Sequence, residues 1–169
     1  PDGPDWVPAE VDVSIRPGWF YHPEQDNDVK SLDHLLNIYY TSVGSNSCLN
    51  LNIPPDQRGL FHENDVARLK ELREVLDATF DKDLALGKKA SADSWRGKDD
   101  RFSPAMAVDD EYDTYWATDD GVTKGFIEVD LGEPRVFNNV KVQEYVPLGQ
   151  RIEAFAIEAR ETGGSGGPE

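Results

Sequence analysis

The sequence is poor in three things, and each deficit removes a class of explanation. It has a single cysteine, Cys48, which excludes an intrachain disulfide and a cysteine-rich metal site. Basic residues are scarce: 17 Lys and Arg stand against 33 Asp and Glu, a formal net charge of −16. Nucleic acids and anionic membranes are gripped by basic surfaces, so neither is expected as a partner. Long apolar runs are missing too; nothing approaches the ~20 residues that cross a bilayer. No secretory leader is visible, yet the chain starts abruptly at Pro1-Asp2-Gly3-Pro4, as though its beginning lay elsewhere. Hydrophobic residues make up 38% of the 169, so one domain or two small ones should carry only a modest core. The acidic balance suits solubility outside the cell or a neutral glycan ligand, and identifies neither.

The chain is organised around the stretch Trp6–His22. From Glu10 to Arg16 it alternates strictly, with Glu10, Asp12, Ser14 and Arg16 on one face and Val11, Val13 and Ile15 on the other. Period-two alternation with β-branched residues predicts a strand. Pro17-Gly18 stops it, and Trp19-Phe20-Tyr21-His22 follows at once. Such a strand can simply expose a solvated charged face. The loop argues otherwise, since it gathers a guanidinium and three rings where a surface turn is normally small and polar. Rings cover the apolar C–H face of a sugar while carboxylates and Arg hold its hydroxyls.

Leu32, Leu35, Leu36, Tyr39, Tyr40 and Val43 predict a helix from Ser31 to Gly44, capped by those two residues. Ser47–Ile53 predicts a strand with Cys48, Asn50 and Asn52 on one face, ended by Pro54-Pro55. A second helix is expected from about Asn64 to Thr79, with Val66, Leu69, Leu72, Val75, Leu76 and Phe80 on one side. Strand, helix, strand, helix is two βα units, which implies a parallel sheet or barrel. Two units close nothing, because a barrel needs eight and about 250 residues. The segment is therefore expected to be the tail of a larger domain, or a subdomain packed on another chain. Beyond Phe80 the helical period stops, and short β-prone runs appear at 90–95, 125–131, 139–145 and 152–160. Their spacing suggests an antiparallel sandwich. The expected division is residues 1–81 and 82–169, with Gly163–Glu169 a flexible loop or linker.

The first part, through Trp6–His22, Leu49–Gly59 and the helix behind them, resembles the end of the catalytic domain of bacterial α-L-fucosidases, glycoside hydrolase family 29. The second, through Leu84–Ala92, Ala107–Trp116, Ile127–Gly132 and Asn139–Tyr145, resembles a discoidin-like, coagulation factor type C domain, the galactose-binding-like sandwich. The fold class implied is α/β plus all-β: C-terminal βα units of a (β/α)8-like barrel, then an antiparallel β-sandwich, incomplete. Both ends look cut.

The resemblance implies retaining hydrolysis of α-L-fucosides, which needs two carboxyl groups about 5 Å apart. The family's nucleophilic Asp and its Gly-Asn-Glu segment have no match here, so the catalytic pair is expected outside this chain; Glu10 is the local candidate acid/base. Trp19 matches the tryptophan lining the fucose pocket against the sugar's methyl group, Arg16 is a candidate for binding the sugar or the site's carboxylates, and Asp12 is a further candidate substrate contact. Alternatively, Glu10, Arg16 and Asp12 form a supporting polar network. His22, His34 and His62 read as structural or loop residues. In the sandwich, the resemblance implies a structural calcium held by Asp109 and Thr114 side chains and the carbonyls of Met106 and Glu111, with a further acidic ligand from a last strand not present. Trp95, Arg96 and Trp116 are candidate sugar contacts, but bracing of the barrel is the favoured role.

The leading expectation is part of a secreted or periplasmic bacterial exo-α-L-fucosidase acting on terminal fucose of glycans, with α1,3/1,4 preference. Its partners would be a fucosylated glycan and the remainder of the same enzyme, and no catalytic cofactor is expected. The alternatives are a non-catalytic carbohydrate-binding module with a barrel remnant, and an adhesion or scaffold piece.

Overall fold

The computed structural model describes Val7 and residues 9–160. Trp6 and Pro8 of the opening motif and the Gly163–Glu169 tail lie outside the described residues. The chain divides into two compact units, Pro1–Asp81 and Lys82–Glu169.

The first unit runs β1 (Ala9–Ser14), α1 (Leu32–Ser42), β2 (Ser47–Asn52), α2 (Glu63–Phe80). The two strands are parallel, paired Glu10 with Cys48, Asp12 with Asn50 and Ser14 with Asn52. A parallel pair needs a crossover, and α1 supplies it. Because side chains alternate along both strands, the register puts Glu10, Asp12, Ser14, Cys48, Asn50 and Asn52 on one continuous polar face. Val11, Val13, Leu49 and Leu51 share the other face and are the more covered, whereas Glu10, Asp12, Cys48 and Asn50 are exposed.

Helix α1 begins where expected: the Ser31 hydroxyl accepts from the His34 N–H at 3.3 Å. Its inner face differs in detail. Leu35 and Ser42 are buried and Ile38 is half-buried, while Tyr40 and Val43 are exposed. Nor does Gly44 end the helix. The chain tightens into a 3-10 turn, Val43–Ser45, and leaves through Asn46 at φ 64. Asn tolerates that left-handed conformation because its short amide can bond locally. Helix α2 is capped by His62, whose Nδ1 accepts from the Asn64 N–H at 3.2 Å. It ends at Phe80, whose ring lies 6.2 Å from that of Tyr39 on α1.

In the second unit β3 (Lys89–Ala92) and β4 (Ile127–Asp130) form an antiparallel pair, with Ala90 opposite Val129. The expected strands at 139–145 and 152–160 do not form among the described residues. A β-prone run becomes a strand only when a neighbour takes up its backbone N–H and C=O groups, and here no described segment pairs with either run. Their apolar side chains, Val140, Val142, Phe155 and Ile157, stay exposed. What orders this region is side-chain chemistry: the Glu144 carboxylate accepts the Arg151 and Ile152 N–H groups, each at 2.8 Å. The Tyr145 ring stacks on Tyr115 at 4.6 Å.

Leu35 is 2% exposed and, prolines aside, is one of three buried apolar side chains among the described residues, with Ile15 and Val108. With so little core, Leu35→Ala should lower stability by ~2–5 kcal/mol, read as a drop in the urea midpoint at unchanged slope.

Candidate functional site at the strand carboxyl ends

Strand β1 stops at Ser14, and the chain bends sharply there. The Ile15 N–H still donates to Asn52 O at 2.9 Å, but the alternation does not carry on to Arg16. Arg16 was expected on the face of Glu10 and Asp12; instead it is completely buried. Its Nε donates to both oxygens of Asp65, at 3.1 and 3.0 Å, and its Nη1 donates to Asp26 Oδ1 at 2.9 Å. The Tyr21 ring lies 5.0 Å from the guanidinium carbon. The reason is electrostatic: a guanidinium out of water must be paired, and Asp65 in the first turn of α2 offers a carboxylate favoured there by the helix dipole. The expected supporting network thus exists with different members, since Arg16 is held by Asp26 and Asp65 rather than by Glu10 or Asp12.

Asp26 gathers further partners. Tyr21 Oη donates to its Oδ2 at 3.3 Å, and His62 Nε2 lies 3.3 Å from the same oxygen. Partial burial alone would raise the Asp26 pKa. The hydrogen bonds from Arg16 and Tyr21, with the charges of His62 and Arg16, outweigh it and hold the carboxyl below its ordinary range. Burial likewise pulls the Lys30 ammonium down. That ammonium donates to the carbonyls of Ser14, at 2.6 Å, and Arg16, at 3.2 Å, closing the end of β1.

Above this buried layer sits the aromatic loop. Trp19 and Phe20 are exposed, 47% and 75%, and Tyr21 is half-buried. The loop backbone is held from the polar face. Ser14 Oγ donates to Gly18 O at 2.8 Å, and Asn52 Nδ2 donates to Ser14 Oγ at 3.2 Å and to Trp19 O at 2.8 Å. Sequence reasoning placed Ser14 and Asn52 on strand faces but assigned them no role, and passed over Asp26, Lys30 and Asp65. A signal existed only for Asp65, a carboxylate in the first turn of an amphipathic helix; the others needed the register. His62 serves as a helix cap, while His22 is exposed and stands 3.7 Å from Glu24.

In the second unit, three of the four suggested calcium donors converge. Thr114 Oγ1 donates to Asp109 Oδ2 at 2.7 Å and lies 3.1 Å from Glu111 O; the Glu111 N–H donates to Asp109 Oδ1 at 3.0 Å. Asp110 between them adopts φ 62. These are hard oxygen donors of the kind calcium takes, though fewer than the six to eight it fills. Met106 sits in the adjoining 3-10 turn, Pro104–Ala107, and no cluster of three His, Cys, Asp or Glu side chains occurs among the described residues. Trp116 Nε1 donates to Ser94 O at 3.0 Å, Lys98 Nζ lies over the Trp95 ring at 3.9 Å, and Arg96 pairs with Asp120.

Parallel βα units with candidate site residues at the carboxyl ends of their strands are the arrangement of a (β/α)-barrel wall. A family model described as "Alpha-L-fucosidase" matches residues 4–79, and one described as "NedA-like, galactose-binding domain" matches residues 106–166. Alpha-L-fucosidase 1 of Arabidopsis thaliana is 38% identical over 95% of this chain and 32% of its own length. A Bacteroides thetaiotaomicron structure titled as a candidate α-L-fucosidase is 46% identical, with a TM-score of 0.70 over 79% of this chain and 28% of its own. A Ruminococcus gnavus GH29 fucosidase in complex with fucose is 36% identical, with a TM-score of 0.72 over 78% of this chain and 26% of its own. The chain thus joins a segment of the α-L-fucosidase family, glycoside hydrolase family 29, at residues 4–79 to a galactose-binding-like domain at residues 106–166. It spans about a third of the length of the curated relatives it matches.

The buried ion pair has two measurable consequences. Arg16→Met leaves Asp65 buried and unpaired, and should cost ~3–5 kcal/mol in urea unfolding. Because the Asp26 pKa is lowered by folding, its contribution is complete above the unfolded value of ~3.9 and is lost as pH falls through the folded value. Asp26→Asn should therefore shrink the stability difference between pH 7 and pH 3.5.

Proposed function

We propose that this chain is part of a retaining exo-α-L-fucosidase that releases terminal α-L-fucosyl residues from glycans, with α1,3/1,4 preference. The observation that carries the reading is the polar β1–β2 face with its exposed Trp19 loop at the carboxyl ends, lying inside the segment that matches the α-L-fucosidase family. The Trp19 indole offers an apolar face for the C–H and methyl side of fucose. The catalytic carboxyl pair is assigned to the remainder of the enzyme, and Glu10, exposed on the same strand face, is the local alternative for the acid/base. In retaining hydrolysis the nucleophile forms a covalent glycosyl-enzyme while the acid protonates the leaving oxygen, and the same group then deprotonates the attacking water. Arg16, buried beneath the loop, orients the wall rather than touching sugar. Asp12 lines the polar face beside Asn50.

Calcium in the Asp109–Thr114 loop, with carbonyls of Met106 and Glu111, would supply only a structural cross-link. The acidic charge balance and a glycan substrate suit a secreted or periplasmic enzyme. One observation supports sugar binding by the second unit: a hollow of about 510 Å³ lined by Arg101, Phe102, Asp113, Tyr115 and Tyr145 among others, large enough for a monosaccharide.

The complete enzyme should hydrolyse 4-nitrophenyl α-L-fucoside, and Trp19→Ala should raise KM by at least tenfold. Glu10→Gln should slow release of fucose from oligosaccharides by ~10²–10⁴ yet spare the activated aryl fucoside's first step, because only a poor leaving group needs the proton. Equal loss on both substrates would remove Glu10 from that role. If the hollow binds sugar, Tyr145→Ala in the complete enzyme should weaken glycan-array retention and leave aryl fucoside kinetics unchanged.

A further inference from the structure

We infer that Asn52 is a positioning residue that fixes the backbone of the Trp19 loop and thereby sets the pose of the indole. The inference rests on the reading of Trp19 as the sugar-facing residue. Ser14 and Asn52 are directly opposed in the parallel register, each the last residue of its strand. Both side chains belong to the polar face, and together they hold two successive loop carbonyls. Ser14 Oγ donates to Gly18 O at 2.8 Å, and Asn52 Nδ2 donates to Trp19 O at 2.8 Å. The two clasps are themselves linked. Ser14 Oγ accepts the second proton of Asn52 Nδ2 at 3.2 Å and also the Arg16 N–H at 3.3 Å. One hydroxyl thus donates once and accepts twice, and both amide protons of Asn52 are used, which fills the hydrogen-bonding capacity of those groups.

The donor is the amide nitrogen by chemical necessity, since Trp19 O is a carbonyl and can only accept. Nothing else described holds the Trp19 carbonyl. Gly18, half-buried, follows Pro17, so the turn itself carries little side-chain packing. The loop's position therefore depends on the bonds from Ser14 at the end of β1 and from Asn52 on β2, the latter 33 residues from Trp19 along the chain. A loop that must present a ring to a ligand gains affinity when it is already ordered before binding.

The test uses the complete enzyme carrying Asn52→Leu, which keeps shape and removes both donors, with Asn52→Gln as the conservative variant. Asn52→Leu should raise KM for 4-nitrophenyl α-L-fucoside about tenfold, with kcat moving much less, and Asn52→Gln should recover part of it. In a Trp19→Ala background the same substitution should add nearly nothing, because both changes act through one ring. Backbone relaxation by NMR reads the clasp without substrate: order parameters of residues 18–21 should fall in Asn52→Leu, while those of α1 and α2 stay unchanged. Unchanged order parameters at 18–21, uniform loosening of the whole unit, or full additivity with Trp19→Ala would overturn the inference. If Asn52→Leu loosens residues 18–21 while the complete wild-type enzyme fails to hydrolyse the fucoside, the fucosidase reading falls and the clasp stands.

Discussion

The first unit depends on keeping one guanidinium charged where water cannot reach it. Arg16 is wholly buried and so is Asp65, and their contact ties the end of β1 to the first turn of α2. An ion pair out of water offers little net stability relative to a well-packed apolar pair, but breaking it is costly, so it acts as a geometric constraint. The second contact, to Asp26, draws the segment after the aromatic loop onto the same point. Tyr21 and His62 close around that carboxylate. With few buried apolar side chains available, polar bonds of this kind take over the task of aligning strand, loop and helix.

The layer above is organised by register. Because β1 and β2 run in parallel and pair Ser14 with Asn52, the polar side chains at both strand ends meet beneath the loop carbonyls. The site is therefore built in two tiers, buried charges below and hydrogen-bonded backbone above, with exposed rings at the top. The exposed acidic positions, Asp12 and Glu10, stand on the same face one and two pleats earlier. This division of labour suits a saccharide site, where apolar contact and hydroxyl recognition must be offered side by side.

The second unit shows a different dependence. Its β3–β4 pair is short, and the loops around it are held by carboxylates accepting backbone N–H groups: Asp93 toward Ser94 and Phe126, Asp109 toward Glu111, Asp119 toward Gly97. The runs at 139–145 and 152–160 have strand composition without strand structure. Composition supplies a tendency, and a neighbouring backbone is required to realise it.

Local pattern alone determined the βα order, the starts of both helices, the first two strands within two residues and the change of character after Phe80. These depend on contacts a few residues apart, which periodicity and capping residues reveal. The tertiary structure decided where Arg16 points, since its alternation with Glu10 and Asp12 ends when the chain bends at Ser14. It also decided which carboxylates pair with it, 10 and 49 residues away, and that Asn52 reaches the loop before α1. Such meetings arise from strand register and from the cost of burying an unpaired charge, and neither is written in the spacing of residues along one segment.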